Sequence, residues 1–453
     1  MSYNYSLSID EGNPKQFAVL WLILGLAALI IAGLFSILLV LSRTPFIQEI
    51  IPWVDFFHTA LVVHVDMSVF IWFLAFAGIL WSLTSKPQLA WLNKTAAALC
   101  AIGTITMAIL PFVGIGKPLM NNYIPVLQHP VFYIALGLIG IGFTLLIIRT
   151  LIIPLPFTQT TDSRSVLHFG SYSAAIAALA TMVAFLWTWL NLSRDFDAHA
   201  YFEYLFWGSG HILQFTHTQL MLICWLCLAS ASRANVYLQP RIVFLLLLLG
   251  VLPIVVTPYF YLTSAIDSVE QRIAFTRLMQ YGGGLAAVPI SIVLFAGLFT
   301  RNKATAAQRP LRASLISSLL LFSVGGILAL LIEGVNVVIP AHYHGSIVGV
   351  TLAFMGVTYY LLPRLGYSAP SSRLAHLQPY IYGGGQLMHI MGLAWSGGYG
   401  VQRKTAGAAQ GLDKLPEILG MAMMGLGGLI AIIGGLLFII VAIKAMLNKT
   451  ANP

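Results

Sequence analysis

Twelve long apolar runs leave this chain little choice but to fold as a bundle of membrane-spanning helices. The hydrocarbon core of a bilayer takes a helix of about 20 apolar residues, and each run approaches or exceeds that length. In order they are Phe17–Leu41, Ala60–Leu83, Thr95–Val113, Pro130–Ile148, Phe169–Leu192 and Leu205–Ala231. The second half adds Ile242–Leu262, Leu278–Thr300, Ala313–Ile332, His342–Leu362, Pro379–Trp395 and Ile418–Ile443. The eleventh, rich in glycine and histidine, fits the pattern least well. Of the 453 residues 59% are hydrophobic and only 8% charged, more apolar surface than a water-soluble domain can bury. The expected class is therefore all-α, polytopic, with about twelve transmembrane helices in one integral-membrane domain over residues 1–453.

The formal net charge of +9 does not point to nucleic acid, because the basic residues sit between the apolar runs rather than in a patch. Lys and Arg counted over alternate loops divide fifteen against eight, the larger share falling on the side of both termini. By the positive-inside rule that side is the cytoplasm, making residues 1–16 and 444–453 cytoplasmic tails. The first run is too long for a signal peptide and is expected to stay as a helix. Cys100, Cys224 and Cys227 all lie within apolar runs, so no extracellular disulfide framework is expected. Cys224-x-x-Cys227 lacks the strand–helix setting of a redox motif and reads as helix packing.

Histidine placement singles out one region. Pro340-Ala341-His342-Tyr343-His344-Gly345 opens the tenth run. Two residues on a helix is a rotation of about 200°, so the two imidazoles point to opposite sides and can serve two different metals or haems. In the orientation above, His58 and His64 open the second run, His211 the sixth, and His342 and His344 the tenth, all at the outer end. Ionisable groups gathered at one depth of a bundle are functional candidates. A buried neutral imidazole also needs a partner or a metal to offset lost hydration. His64 and His344, at matching depth, suit a six-coordinate haem iron. Asp66 is a candidate partner of His58, a proton-path residue or an interfacial cap. His217 lies six residues beyond His211, faces elsewhere and reads as packing or an interhelical hydrogen bond. Arg403-Lys404, on the outer side against the charge bias, is either a solvated loop or a clamp for anionic groups such as haem propionates.

At these motifs the sequence resembles subunit I of the haem–copper oxidase superfamily, which includes cytochrome c oxidases, quinol oxidases and nitric oxide reductases. Val63-His64-Val65-Asp66-Met67-Ser68-Val69-Phe70 looks like the helix-two motif supplying one low-spin haem ligand. Pro340-Ala341-His342-Tyr343-His344 looks like the helix-ten motif, whose first histidine binds the high-spin haem and whose second completes the low-spin haem. Phe206-Trp207-Gly208-Ser209-Gly210-His211 is similar to the helix-six segment carrying a ligand of the active-site copper, and Arg403-Lys404 stands where the family has paired arginines near the propionates. The likeness is closer to the B-type and nitric oxide reductase-like branches. It implies two haems, expected to be b-type, and a catalytic role for His211 and His342 in reducing oxygen or nitric oxide. It also implies a second subunit carrying the electron-accepting site, a cytochrome c or cupredoxin donor, and residence among the lipids of a bacterial inner membrane.

The pattern breaks at the distal metal. Copper in the family takes three histidines, but no histidine occurs between His217 and His342, and Leu262 and Thr263 stand where the pair belongs. One imidazole makes a poor site for copper or non-haem iron without further donors. Phe215, four residues after His211, replaces a tyrosine of many oxidases; Tyr259 and Tyr261 are spatial candidates for that role. Ile212 and Leu213 replace a Pro-Glu pair, removing a proton-delivery carboxylate. Asp267 and Glu270 read as an outer loop, whereas Glu333 is a candidate partner of Arg403, a proton-path residue or a neighbour of the distal site. These losses favour a rival reading: a haem membrane protein that carries electrons or senses a diatomic gas without turnover.

Overall fold

The computed structural model describes residues 2–9, 11–43, 54–157, 159–299, 303–405 and 410–448. Arg301 and Lys449, two of the cations counted for orientation, lie outside the described residues. Among the described residues fifteen α-helices run in chain order: α1 (Asn13–Arg43), α2 (Val54–Val65), α3 (Trp72–Leu83), α4 (Ala90–Val113), α5 (Pro130–Ile152), α6 (Ser163–Asn191), α7 (Ala198–Ala231) and α8 (Pro240–Val251). They continue with α9 (Thr257–Thr263), α10 (Val269–Gly282), α11 (Ala287–Leu298), α12 (Arg309–Ala329), α13 (Val338–Leu361), α14 (Arg373–Gly397) and α15 (Leu415–Leu447). Among the described residues, eleven helical segments are long and apolar enough to cross a membrane, so the protein is an integral, multi-pass membrane protein.

Local sequence explains where these helices begin and break. Asp162 caps α6 through Ser165 N at 2.8 Å, and Ser372 caps α14 through Ala375 N at 3.1 Å. Pro253 and Pro258 remove two backbone donors from the seventh span, which passes from α8 through a 3₁₀ turn (Leu252–Val256) into α9. The second span changes winding instead: α2 continues through a π-helical segment, Asp66–Ile71, into α3. Between α4 and α5 a short antiparallel hairpin pairs β1 (Lys117–Leu119) with β2 (Val126–Gln128).

The eleventh run forms a 25-residue helix, α14, but it is not among the spans apolar enough to be recognised by hydropathy. Three of its polar side chains donate to the neighbouring helix. His389 Nδ1 donates to Met424 O at 3.0 Å, Trp395 Nε1 to Pro416 O at 3.2 Å, and Gln378 Nε2 to Gly434 O at 3.2 Å, all on α15. With these three donors paired, a helix of modest hydropathy can be held in the bundle.

The chain forms two compact units. The first comprises Met1–Gly25, Phe70–Ser230 and Ala234–Thr300; the second comprises Leu26–Val69, Ala231–Arg233 and Arg301–Pro453. In the first, a buried chain of hydrogen bonds runs from Trp21 Nε1 to Asn93 Oδ1 (2.8 Å), from Asn93 Nδ2 to Ser82 Oγ (2.9 Å), and from Ser82 Oγ to Gly78 O (2.6 Å). The N-terminal strap is fastened there too, with Tyr5 Oη donating to Leu238 O at 2.7 Å. Cys100, Cys224 and Cys227 are buried and form no disulfide among the described residues.

Candidate functional site

In the second unit three of the singled-out histidines share one device. His64 Nδ1 lies 2.9 Å from Ala32 O, His342 Nδ1 lies 2.8 Å from Gly325 O, and His344 Nδ1 lies 2.8 Å from Pro340 O. A carbonyl can only accept, so each ring carries its proton on Nδ1 and its lone pair on Nε2. That is the tautomer a metal-binding imidazole needs, with ring orientation fixed by the second nitrogen.

The opposed geometry of the His-x-His pair is visible in its contacts. His342 turns to α12, where Gly325 supplies its acceptor, whereas the His344 ring lies 5.2 Å from that of His389 on α14. The first contact depends on a close helix crossing. A Cβ at Gly325 would fall 2.5 Å from Ser346 N, and one at Gly345 would fall 2.6 Å from Gly325 Cα. Only glycine lets the two backbones approach this closely.

Other expected residues of this unit have plainer settings. Asp66 is fully buried, and neither carboxylate oxygen has a hydrogen-bond partner among the described residues, so it does not pair with His58. Glu333 is exposed before α13 and makes no ion pair with Arg403 among the described residues. Arg403 and Lys404 are half-buried in the turn after α14, where Lys404 adopts a left-handed φ of 59°.

His211 belongs to the first unit and sits on α7 among aromatic rings. Those of Trp207, Tyr123 and Phe275 lie 4.8, 5.2 and 5.9 Å away. Its Nδ1 lies 2.7 Å from Trp207 O and 2.7 Å from Tyr123 Oη. The phenol comes from the hairpin loop between β1 and β2, held by Asn121 Oδ1 accepting from the backbone N of Tyr123 and Ile124, both at 2.9 Å. Burial first, and the charge of Glu203 second, push the Tyr123 phenol well above its usual range, while Gln214 acts in the opposite direction.

The tyrosine candidates named from sequence do not fill this place. Tyr259 is exposed, and Tyr261 accepts a hydrogen bond from Thr188 Oγ1 at 3.3 Å. Phe215 is buried in an apolar cluster with Ile212 and Phe275. His217 packs edge-on to Phe73 at 4.7 Å, beside a small apolar cavity also lined by Leu213 and Phe143. Tyr123 was not legible as a site residue because nothing local marks it: it lies in a connecting hairpin 88 residues from His211.

The profile for cytochrome c and quinol oxidase polypeptide I matches residues 16–449. The chain belongs to this family. Among its relatives is an uncharacterized protein of Rickettsia prowazekii (strain Madrid E), 28% identical, with 97% of this chain and 98% of that one covered. An uncharacterized protein of Aquifex aeolicus (strain VF5) is 27% identical, covering 80% of this chain and 89% of the relative. The fold is similar to that of a heme-copper terminal oxidase dimer solved by cryo-EM, with a TM-score of 0.70 and 17% identity. That match covers 98% of this chain and 86% of the other. The family is one of haem-binding oxidoreductases in membranes, and the bundle described above has its subunit I fold.

The residues of this family member fit haem and do not fit the second metal. Three imidazoles with the lone pair directed to Nε2 are suitable axial ligands. Around His211 the nearest polar groups are a phenol, the Gln214 amide and a backbone carbonyl. Among the described residues no group of three or more His, Cys, Asp or Glu is placed to hold a metal ion. Copper and non-haem iron need further imidazole, thiolate or carboxylate donors, and among the described residues no such set is assembled.

Proposed function

We propose that this protein is the haem-carrying subunit of a respiratory-type oxidoreductase that reduces oxygen or nitric oxide. His64 and His344 are the axial ligands of a low-spin haem and His342 the ligand of a high-spin haem. The observation that carries this is the common Nδ1–H···O=C anchoring of all three rings. Two haems so held would supply one-electron transfer and an open coordination position for a diatomic gas. The chain's own part is to fix ring orientation and tautomer: the carbonyls of Ala32, Gly325 and Pro340 prevent each imidazole from turning its lone pair away. Arg403 and Lys404 supply positive charge for carboxylate groups. The donor is a cytochrome c or cupredoxin, received through a second subunit, in a bacterial inner membrane with both termini cytoplasmic.

The donor set at His211 favours a second reading, a haem protein that carries electrons or binds a gas without turnover. Purified protein separates the two. Both require two haems per chain, loss of the low-spin spectrum in His64→Ala and His344→Ala, and loss of carbon monoxide binding in His342→Ala. Oxygen or nitric oxide consumption with a reduced donor then marks the oxidoreductase, and its absence marks the carrier or sensor. A preparation without haem would sink both.

A further inference from the structure

The surroundings of His211 show what stands in the place of a metal. Its Nδ1 meets two oxygens at once, Trp207 O and Tyr123 Oη, each at 2.7 Å. Trp207 O can only accept, so the proton is on Nδ1, shared between the carbonyl and the phenol oxygen. A phenol proton directed at Nδ1 instead would leave the carbonyl facing a lone pair at that short distance. Nδ1 is therefore committed to the protein, and the ring's lone pair lies on Nε2. Tyr123 Oη also accepts from Gln214 Nε2 at 3.3 Å, which fixes the phenol from a second direction.

The approach is built rather than incidental. A Cβ on Gly210 would fall 2.2 Å from the Tyr123 ring, so the phenol reaches His211 only because residue 210 has no side chain. The hairpin is clamped to the same helix one residue away, where Asn122 N donates to Glu203 Oε2 at 3.1 Å and its side-chain amide to Glu203 Oε1. Thus α7 carries both halves of the anchorage, Glu203 two turns before His211. The imidazole itself is only 6% exposed.

We propose that His211 and Tyr123 form a metal-free imidazole–phenol pair in which Tyr123 positions the ring through Nδ1 and no metal is bound at Nε2. The donors present suit hydrogen bonding and not coordination: of the four groups at the site, only one is an imidazole, and one of its nitrogens is already engaged. The proposal concerns the first unit alone and does not depend on the haem assignments, so haem content is scored separately as pyridine haemochrome.

The full-length protein in detergent tests this in two measurements. Wild type, His211→Gln and His211→Ala are incubated under reducing conditions with Cu(I), Fe(II) or Zn(II), freed of unbound metal, and analysed for metal in excess of haem iron. Equal metal in all three is expected; one equivalent per chain present in wild type and lost in both variants would overturn the proposal. The second measurement is ¹⁵N solid-state NMR of histidine-labelled protein, with the His211 signal identified by its loss in His211→Gln. A neutral ring protonated on Nδ1, whose Nδ1 resonance moves in Tyr123→Phe, is expected. A ring protonated on Nε2, or an Nδ1 resonance indifferent to Tyr123→Phe, would overturn it. Because both variants can be compared by the signals of the other histidines in the chain, misfolding is distinguished from loss of the pair.

Discussion

His342 Nδ1 donates to the carbonyl oxygen of Gly325 at 2.8 Å, so the ring that opens α13 is held by the backbone of α12. The bond exists because the two helices cross at glycines. Adding a methyl group at position 325 would drive a Cβ to 2.5 Å from Ser346 N, a backbone atom that cannot swing aside. Gly325→Ala should therefore separate the helices, cost about 1–3 kcal/mol through overpacking, and weaken retention of the haem assigned to His342. Thermal melting followed with a thiol-reactive dye suits this protein, since Cys100, Cys224 and Cys227 are buried until it unfolds. A melting temperature and haem content equal to wild type would contradict the assignment of this contact.

Gln378 is the polar link between three helices. Fully buried on α14, it accepts from Tyr359 Oη on α13 at 3.1 Å and donates to Gly434 O on α15 at 3.2 Å. Gln378→Leu leaves a phenol and a carbonyl without this partner. The expected loss is about 1–3 kcal/mol for a buried polar group left unsatisfied. Tyr359→Phe combined with Gln378→Leu should lose less than the sum of the two single changes, because the phenol is the group orphaned by the first. Additive losses in a double-mutant cycle would show that the two side chains are not coupled.

Arg149 presents the opposite case, a buried cation served by one acceptor. Its Nη2 donates to Lys86 O at 2.7 Å, while Nε and Nη1 have no hydrogen-bond partner among the described residues. Its place in the last turn of α5 is favourable for a positive charge, an effect of roughly 0.3–1 kcal/mol. Desolvation of an ion without a counter-charge costs several kcal/mol, by rough estimate, and outweighs it. Arg149→Met, which keeps much of the volume, should melt at or above the wild-type temperature, whereas Arg149→Ala should melt lower because it leaves a cavity. Strong destabilisation by Met would reveal an anionic partner.

Tyr123 gives a pH dependence whose sign is fixed by its surroundings. Burial and the Glu203 charge raise the pH at which it ionises in the folded protein, while the unfolded chain ionises near the ordinary value of about 10. The neutral phenol therefore contributes stability in full below that pH, and the contribution falls as the pH rises towards the folded-state value. Ultraviolet titration should show the Tyr123 component, taken as wild type minus Tyr123→Phe, ionising later than exposed tyrosines. Glu203→Gln should bring it back towards them. Ionisation in step with exposed tyrosines would contradict the buried setting.

The amino-acid sequence by itself determined the membrane bundle and singled out the histidines proposed to hold haem. Apolar run length sets the number and ends of spans because a bilayer has a fixed thickness, and a two-residue spacing on a helix must send His342 and His344 to opposite sides. Both readings need only local geometry. The run that becomes α14 fits the apolar pattern least well, because the carbonyls that satisfy His389, Trp395 and Gln378 belong to α15 and leave no trace in the run itself. Tertiary structure alone chose which nitrogen of His64 and of His342 holds the proton, since the deciding carbonyls of Ala32 and Gly325 lie on other helices. It alone brought Tyr123 to His211: the phenol arrives from a hairpin through the gap left by Gly210, and a contact across 88 residues is set by packing, not by the residues on either side of it.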